Sequence, residues 1–532
     1  MHIVQLAAYL TPQNIHLISL LIVFLVTWSY TIKGDWIIDD VDGIWQFGDR
    51  FNKETGERVD WYEQEIEKGG KKEKLKIKNR QFNRHINFPG SVVRFIRLNL
   101  GAKWQQLGKN KKGHEIYGYV QSAYKHHAIN LAIHLANTFL LYFFLQHIVP
   151  LDVAFIATLF FVVHPVACQS VAWISGIGYL LCLMMALISF NIPFWIPNLA
   201  IQIPLICITT WLSASFLLAG MANFVILAVL GFWWAALGAL AVAIFCFVTQ
   251  GLWVKNYRVK AFTDQNMGKS TKMNWRKPII MLKSFFYYVC MTLFPKRLGL
   301  YHEWGYHYDD KLERFDLMAL AGLASLIGLG ALFWFGPLPV KLGVAWFTVY
   351  VGLFLNLITA QQTVADRYVF IASLGFCLVV AFYLASWPLA CAFLLGLMLM
   401  RTWTHLPSFD NQVKFYQSNM WNFPKSEVAL GNLGTIYKQA GMHGMAEDSW
   451  RIAAHINPNY DVPWYNLYSS MKVMGYLPQA REYLKKCLDA KICHFEEQWT
   501  KELAELDRVL QIHQPIHFKL NDVNRYILEA TK

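Results

Sequence analysis

Residues 126–253 contain a single formally charged side chain, Asp152, among 128 positions. The whole chain of 532 residues is 55% hydrophobic and 16% charged, whereas soluble domains typically carry about 25% charged residues. A bilayer core of about 30 Å needs about 20 apolar residues for each crossing helix. This stretch therefore excludes an ordinary soluble enzyme and predicts a polytopic bundle of membrane-spanning α-helices.

Apolar runs on either side of this stretch extend the prediction. Residues 17–30 read as a first span that is retained as a signal anchor, because no basic segment or small-residue cleavage site accompanies it. We expect about 10 to 13 spans in total. The number stays open because three prolines interrupt residues 193–204, and residues 367–400 can form one span or two shorter ones.

The pattern divides the chain into four parts. Residues 1–32 form the first transmembrane helix, residues 33–125 a large polar loop, residues 126–405 the multi-span domain and residues 406–532 a soluble-like domain. Within the polar loop, residues 91–104 alternate apolar and basic side chains at helical spacing. They predict an amphipathic helix at a membrane surface, or equally a solvated helix that packs on its own loop.

Charge in the short loops sets the expected orientation. Residues 254–278 carry seven Lys or Arg against one Asp, so this loop is predicted to be cytoplasmic. The acidic and aromatic residues 301–310 follow one span later and are expected on the outer face, together with the first loop. Of the net charge of +13, +6 lies in residues 33–125 and +6 in residues 254–278. This concentration in two loops gives no indication of a nucleic-acid partner.

The last part of the chain contains an internal repeat with an offset of 34 residues, the period of the tetratricopeptide helix–turn–helix unit. Glycine is expected at the turn, alanine where the second helix packs closely, and an amphipathic helix at residues 496–510 as a cap. Two such repeats form a small groove that is suited to a protein or peptide. The matching positions are Asn432-Leu433 and Asn466-Leu467, Gly441 and Gly475, and Ala446 and Ala480.

An acidic cluster directly follows the first span. Residues 35–42 contain four carboxylates, of which Asp39 and Asp40 are adjacent. Neighbouring carboxylates raise one another's pKa, and such a pair can act as a general base or hold a divalent cation. A solvated acidic loop is the alternative interpretation.

Polar residues recur at helical spacing in the second span. His127, Asn130, His134 and Asn137 share one helical face, which must point to the protein interior or a wet cavity. Hydrogen bonding between helices is the favoured role, and a metal site through the two histidines is the alternative. Most cysteines lie in apolar runs without metal-binding spacing, so no metal centre is predicted.

Two further positions stand at predicted span boundaries. Pro165 should break the third span and present His164 to the side that carries Asp39 and Asp40. Arg367, within Asp366-Arg367-Tyr368, opens a late span. Its fixed fork of donors suits a lipid phosphate, and the alternative is a snorkelling arginine paired with Asp366.

Taken in order, these motifs resemble the transmembrane and tetratricopeptide-repeat glycosyltransferases of the GT-C superfamily. The resemblance covers nearly the whole chain. It is carried by Asp39-Asp40, His127-Asn130-His134-Asn137, His164-Pro165, Ser170-Val171-Ala172-Trp173-Ile174-Ser175, Phe294-Pro295 with Leu298, Asp366-Arg367-Tyr368 and Asn432-Leu433-Gly434.

The resemblance implies transfer of a sugar from a polyprenyl-phosphate carrier to a protein Ser or Thr hydroxyl on the outer side of the membrane. Asp39 or Asp40 would be the catalytic base and Arg367 would bind the donor phosphate, while the repeats would dock the acceptor. The substrate-binding set expected on this basis is Arg367, His164, Gln169, His127 and Tyr368.

Two departures from the family pattern leave a second interpretation open. Members commonly carry Glu at the position of Gln169 and a basic–acidic cluster at Ile177-Gly178-Tyr179. The chain would then be a catalytically degenerate relative that serves as a membrane scaffold or accessory subunit and binds a partner protein through its repeats. The sequence contains no Asn-x-Ser/Thr acceptor, which favours a bacterial inner membrane, with first loop and repeats in the periplasm, over the endoplasmic reticulum.

Overall fold

The computed structural model describes residues 11–37, 100, 122–217, 220–253, 276–300, 302, 317–355, 364–490 and 496–512, and the backbone of four strands between residues 61 and 121. The chain forms two compact units. The first comprises Met1–Thr263 with Lys269–Pro424, and the second comprises Asp264–Gly268 with Lys425–Lys532. Residues 406–424, which the sequence pattern groups with the repeats, thus belong to the first unit.

Helices dominate the described part of the first unit. In chain order they are α1 (Pro12–Trp28), α2 (Ala123–Leu145), α3 (Leu151–Val163), α4 (Ala167–Ala172), α5 (Ile177–Trp195), α6 (Leu199–Leu217), α7 (Gly220–Val229), α8 (Trp233–Trp253), α9 (Arg276–Leu293), α10 (Leu317–Phe335), α11 (Leu338–Gly352), α12 (Asp366–Leu384), α13 (Pro388–His405) and α14 (Gln412–Asn422).

Six of the described helices are long and apolar enough to cross a membrane: α1, α2, α5, α10, α12 and α13. Five further apolar helices (α3, α6, α7, α8 and α11) are shorter. The chain is therefore a multi-pass membrane protein. Residues 367–400 form two helices, because Pro388 starts α13 at its first turn and cannot continue α12.

The polar loop contains two antiparallel hairpins. Strand β1 (Trp61–Lys68) pairs with β2 (Lys71–Lys78), and β3 (Ala102–Lys109) pairs with β4 (Glu115–Gln121). The helix predicted for residues 91–104 is therefore wrong at its end, where residues 102–104 belong to β3. In β3 these residues form their backbone hydrogen bonds with β4 instead of within a helix. Residues 91–99 lie outside the described part.

The helices α11 and α12 approach each other closely through two glycines. A Cβ atom on Gly343 would lie 2.6 Å from the carbonyl oxygen of Gly375, and a Cβ on Gly375 would lie 2.8 Å from the backbone nitrogen of Phe347. The indole Nε1 of Trp346 donates to the carbonyl of Ile371 at 2.9 Å across the same contact. Small residues let helix backbones pack closely inside a membrane, and this contact holds α12, which carries Arg367 in its first turn, in the interior.

The burial of the helices separates interior from periphery. The described side chains of α12 are mostly buried, whereas α10 buries only Ala319 and Gly322. Large apolar side chains on α10, such as Trp334 and Phe335, are exposed. A helix whose exposed surface is apolar is suited to contact with lipid, so α10 belongs to the outer surface and α12 to the core.

The described part of the second unit contains five consecutive helices: α15 (Glu427–Gln439), α16 (His443–Ile456), α17 (Asp461–Val473), α18 (Leu477–Asp489) and α19 (Glu496–Ile512). As predicted, Gly441 and Gly475 lie in turns, with φ angles of 78° and 81°, a conformation that favours glycine. Ala446 and Ala480 are buried, as expected for positions of close helix packing.

The α11–α12 contact generates a stability prediction. The Gly375→Ala variant should lower the free energy of unfolding in detergent by about 1–3 kcal/mol, because the new methyl group collides with backbone atoms of α11. The control is Gly328→Ala on α10, where an added Cβ meets no atom within 4 Å. Equal thermal midpoints for the two variants would contradict the close packing of α11 and α12.

Candidate functional site

The candidate site lies where the first turn of α12 meets α4 and the beginning of α5. Its central side chain is Arg367, which is buried at 7% exposure. The guanidinium carbon lies 4.7 Å from the centroid of the Tyr368 ring and 5.7 Å from that of Trp173. The Nη2 atom donates to the Tyr368 hydroxyl at 3.3 Å, and the phenol of Tyr179 also interacts with the guanidinium. Aromatic faces stabilise a buried cation, so this cage holds Arg367 in a fixed position.

Gln169 caps the helix that carries Arg367. Its Oε1 atom accepts the backbone N–H of Arg367 at 2.8 Å, and this N–H is one of the first-turn donors that have no partner inside their own helix. The residue thus joins α4 to α12 and brings two predicted site residues into direct contact. Tyr368, the third, stacks on Phe354 with ring centroids 4.4 Å apart.

Three polar side-chain atoms of α4 and the segment after it are buried without a hydrogen-bond partner among the described residues. They are Gln169 Nε2, Ser170 Oγ and Trp173 Nε1. Two of them are donors only, and the hydroxyl can also donate. A buried donor without a partner costs about 1–3 kcal/mol. The surroundings of Arg367 are therefore rich in donors, which is the chemistry that recognises an anion.

Asp366 belongs to a separate buried network. Its carboxylate accepts the backbone N–H of Gly299 at 2.6 Å, and it lies 3.0 Å from Nε2 of His302. Both side chains of this pair are 2% exposed. The alternative of a snorkelling Arg367 paired with Asp366 is therefore wrong: Asp366 pairs with His302, and Arg367 is buried.

The network continues from His302 to Tyr287, whose hydroxyl lies 2.8 Å from the other ring nitrogen. A neutral imidazole that accepts from the phenol and donates to the carboxylate satisfies both contacts. The sequence analysis took the loop that contains His302 only as evidence for the orientation of the chain in the membrane. It therefore missed the role of His302 as the partner of Asp366. The available signal was the histidine itself, in an acidic and aromatic segment next to a span.

The polar face of α2 is buried, as predicted, and its asparagines act as clamps between segments. Asn130 donates to the carbonyls of Val171 and Trp173 at 3.3 and 3.1 Å, and Asn137 donates to that of Leu180 at 3.0 Å. The favoured role of hydrogen bonding between helices is confirmed for both. Asn130 thereby fixes the segment that carries Gln169 and Trp173.

The two histidines of this face lie in different surroundings. His134 is fully buried among the rings of Phe24, Trp28, Phe161 and Phe370, at centroid distances of 5.5 to 5.9 Å, which fits a structural role. His127 lies one helical turn before Asn130, and its Nε2 would be 2.9 Å from a Cβ on Gly34. It therefore borders the segment that follows α1. No group of three His, Cys, Asp or Glu within the described residues is placed to hold a metal ion.

The structure places His164 in the protein interior. The residue follows α3 as expected and is fully buried; that it shares a side with Asp39 and Asp40 stays a prediction, because those two residues lie outside the described part. Its Nε2 lies 3.2 Å from the carbonyl of Thr292. The reason is that α4 turns back into the bundle directly after Pro165, and all residues of α4 are buried. The helix break therefore lies in the interior.

Asp39 and Asp40 lie outside the described residues. The chain leading to them is held at three points. The N–H of Asp35 donates to the carbonyl of Asp410 at 2.9 Å, the Trp36 and His126 rings meet edge to face at 5.5 Å, and Ile37 is fully buried. The acidic pair thus begins two residues beyond a segment that packs against the start of α2.

The Asp366–His302 pair generates a second stability prediction. His302→Ala should lower the unfolding midpoint, because the Asp366 carboxylate would lose its buried partner. Asp366→Asn should also lower it, whereas the double variant should be less destabilised than the sum of the two single variants. Additive midpoints would show that the two side chains do not interact. The exposed His147, changed to Ala, serves as the control in the same unit.

No protein-family model matches the chain, and no curated protein matches it at a significant level.

Proposed function

We propose that the chain is an integral membrane glycosyltransferase with a GT-C-like bundle of about 10 to 13 spans and a C-terminal tetratricopeptide-repeat solenoid. It moves a sugar from a polyprenyl-phosphate carrier to a protein Ser or Thr hydroxyl on the outer face of the membrane. The motif order described above supports the family assignment. The 34-residue offset of two helix pairs with glycine turns supports the repeats.

One observation carries the proposal: a buried guanidinium stands beside buried donors that have no hydrogen-bond partner among the described residues. Gln169 Nε2 and Trp173 Nε1 have no acceptor among the described residues, and both belong to the segment that surrounds Arg367. The first turn of α12 adds the positive end of a helix dipole. A phosphate supplies several acceptor oxygens and negative charge, and it would satisfy these groups together.

The chemistry assigned to the site requires a base and a stabilised leaving group. The acceptor hydroxyl oxygen attacks the anomeric carbon, while the bond from that carbon to the phosphate oxygen breaks. Asp39 or Asp40 takes the hydroxyl proton. Arg367 neutralises the negative charge that grows on the departing polyprenyl phosphate, which lowers the barrier.

Gln169 has a defined part in this proposal. Its carbonyl oxygen caps α12, a task that a glutamate could also perform, but its Nε2 adds a neutral donor where a carboxylate would repel the phosphate. Tyr179 likewise offers a phenol to Arg367 instead of a charge. These substitutions favour anion binding, and they leave Asp39 and Asp40 as the proposed base.

The second candidate is a degenerate relative that binds the lipid phosphate without turning it over. The contacts of Asp366 favour this candidate. The carboxylate of Asp366, beside Arg367, is already bonded to His302 and to the backbone N–H of Gly299, so it is not free to act as a catalytic base. The protein would then be a scaffold or accessory subunit that recruits a partner through the second unit.

Measurements of lipid-phosphate binding and of sugar transfer distinguish the glycosyltransferase from the scaffold. Full-length protein in nanodiscs is given undecaprenyl-phosphate mannose or dolichyl-phosphate mannose and a Ser/Thr-rich peptide, with and without EDTA to test a divalent cation. We expect Arg367→Gln to weaken binding of the lipid phosphate by at least about tenfold, since a charge-assisted contact is lost. Asp39→Asn or Asp40→Asn should keep binding and abolish transfer.

The control is Arg451→Gln, which removes an arginine whose side chain is 54% exposed in the second unit and should leave both readouts unchanged. Binding that is insensitive to Arg367 would refute the phosphate site. Arg367-dependent binding with no transfer from either carrier would support the scaffold instead of the enzyme.

A further inference from the structure

The two turns of the second unit share one geometry. In the first, the N–H of Met442 donates to the carbonyl of Tyr437 at 2.8 Å, and in the second the N–H of Tyr476 donates to that of Met471 at 2.9 Å. Each bond closes around a left-handed glycine, as in the common glycine-terminated helix end. Residues 438–446 and 472–480, which form these turns, are called the turn edge below.

Both turns lie at the same end of the second unit. The helix α15 runs into the first turn, α16 runs back, and α17 runs into the second turn, so α15 and α17 end on the same side. A hydrogen bond links the two ends directly: the hydroxyl of Ser470, near the end of α17, donates to the carboxylate of Glu447, near the start of α16, at 3.0 Å. The two turns therefore form one continuous edge.

The turn edge exposes large apolar side chains, although turn residues are normally polar. Contiguous exposed apolar surface marks a site of contact with protein or membrane. The exposed residues are Met442 (49%), Met445 (50%), Val473 (82%), Met474 (45%) and Tyr476 (54%).

Each of the two turn segments carries one lysine, Lys438 or Lys472. The carboxylates Glu447 and Asp448 directly follow the first segment along α16, and Glu447 accepts the hydrogen bond from Ser470. The Lys472 amine donates to the Tyr468 hydroxyl at 2.9 Å, and this hydroxyl donates to Glu502 at 2.8 Å. Burial and the bond to Glu502 raise the pKa of Tyr468, so its hydroxyl stays protonated and keeps the amine in place. Lys438 lies over the Trp450 ring at 5.8 Å.

We propose that the turn edge inserts into the headgroup region of an anionic lipid surface. Tyrosine and lysine favour the boundary between headgroups and acyl chains, and methionine and valine add apolar surface that can be buried there. A lipid surface requires no shape complementarity, which suits five apolar side chains that are presented by two turns. The same chain spans a membrane, so the bilayer is present at high effective concentration and a few shallow contacts are enough.

Photo-crosslinking of the full chain in nanodiscs tests the surface. A benzophenone amino acid replaces Met442 or Met474, and the nanodiscs contain about 30% phosphatidylglycerol to supply anionic headgroups. We expect covalent lipid adducts at both positions. The control is the same replacement at Ile452, which is equally exposed at 51% but lies about 10 Å further along α16 than Met445. It should give about tenfold less lipid adduct.

Two crosslinking outcomes overturn membrane insertion: adducts to protein instead of lipid at 442 and 474, and equal lipid adducts at all three positions. The wild-type chain provides a measurement that does not depend on a variant's folding. Amide exchange of both turn segments should slow in anionic nanodiscs relative to zwitterionic ones. Lys438→Gln and Lys472→Gln should each reduce lipid adduct about fivefold in anionic nanodiscs. Unchanged exchange and adduct would exclude the anionic surface.

Discussion

The first turn of α12 leaves backbone N–H groups that have no partner inside the helix, and inside a membrane protein no bulk water is at hand to satisfy them. Gln169 accepts one of these groups from α4. Asp366, at the same helix end, accepts the N–H of Gly299 and pairs with His302. The position of Arg367 depends on these contacts, because they determine which segments surround the beginning of α12.

The same requirement explains the asparagines of α2. Asn130 donates to the carbonyls of Val171 and Trp173, at the end of α4 and directly after it, and so the segment from Gln169 to Trp173 is held between α2 and α12. With its backbone satisfied in this way, the segment presents side-chain donors instead. This division of roles, in which one polar atom of Gln169 is used for structure and the other remains available, makes the region suitable for an anion and supports the proposed phosphate site.

Local sequence patterns correctly predicted the features that repeat along the chain. The uncharged stretch predicted membrane helices, the spacing of His127, Asn130, His134 and Asn137 predicted one buried face, and the offset between Gly441 and Gly475 predicted two equivalent turns. The predictions failed where contacts with another segment of the chain decided the structure of a residue. His164 looked like a surface residue because Pro165 breaks the helix, but α4 folds back and buries it. Residues 102–104 had helical spacing, but β4 gives them strand pairing.

The sequence by itself determined that this chain spans a membrane several times, that α2 carries a buried polar face and that a helical unit with glycine turns follows. These properties follow from hydrophobicity and from backbone freedom, which are local. Only the tertiary structure decided that Asp366 pairs with His302, that Gln169 caps the helix of Arg367 and that aromatic rings enclose the guanidinium. Apart from the ring of the neighbouring Tyr368, these contacts join residues that are distant in sequence, and their energies depend on burial and distance, which appear only when the helices pack.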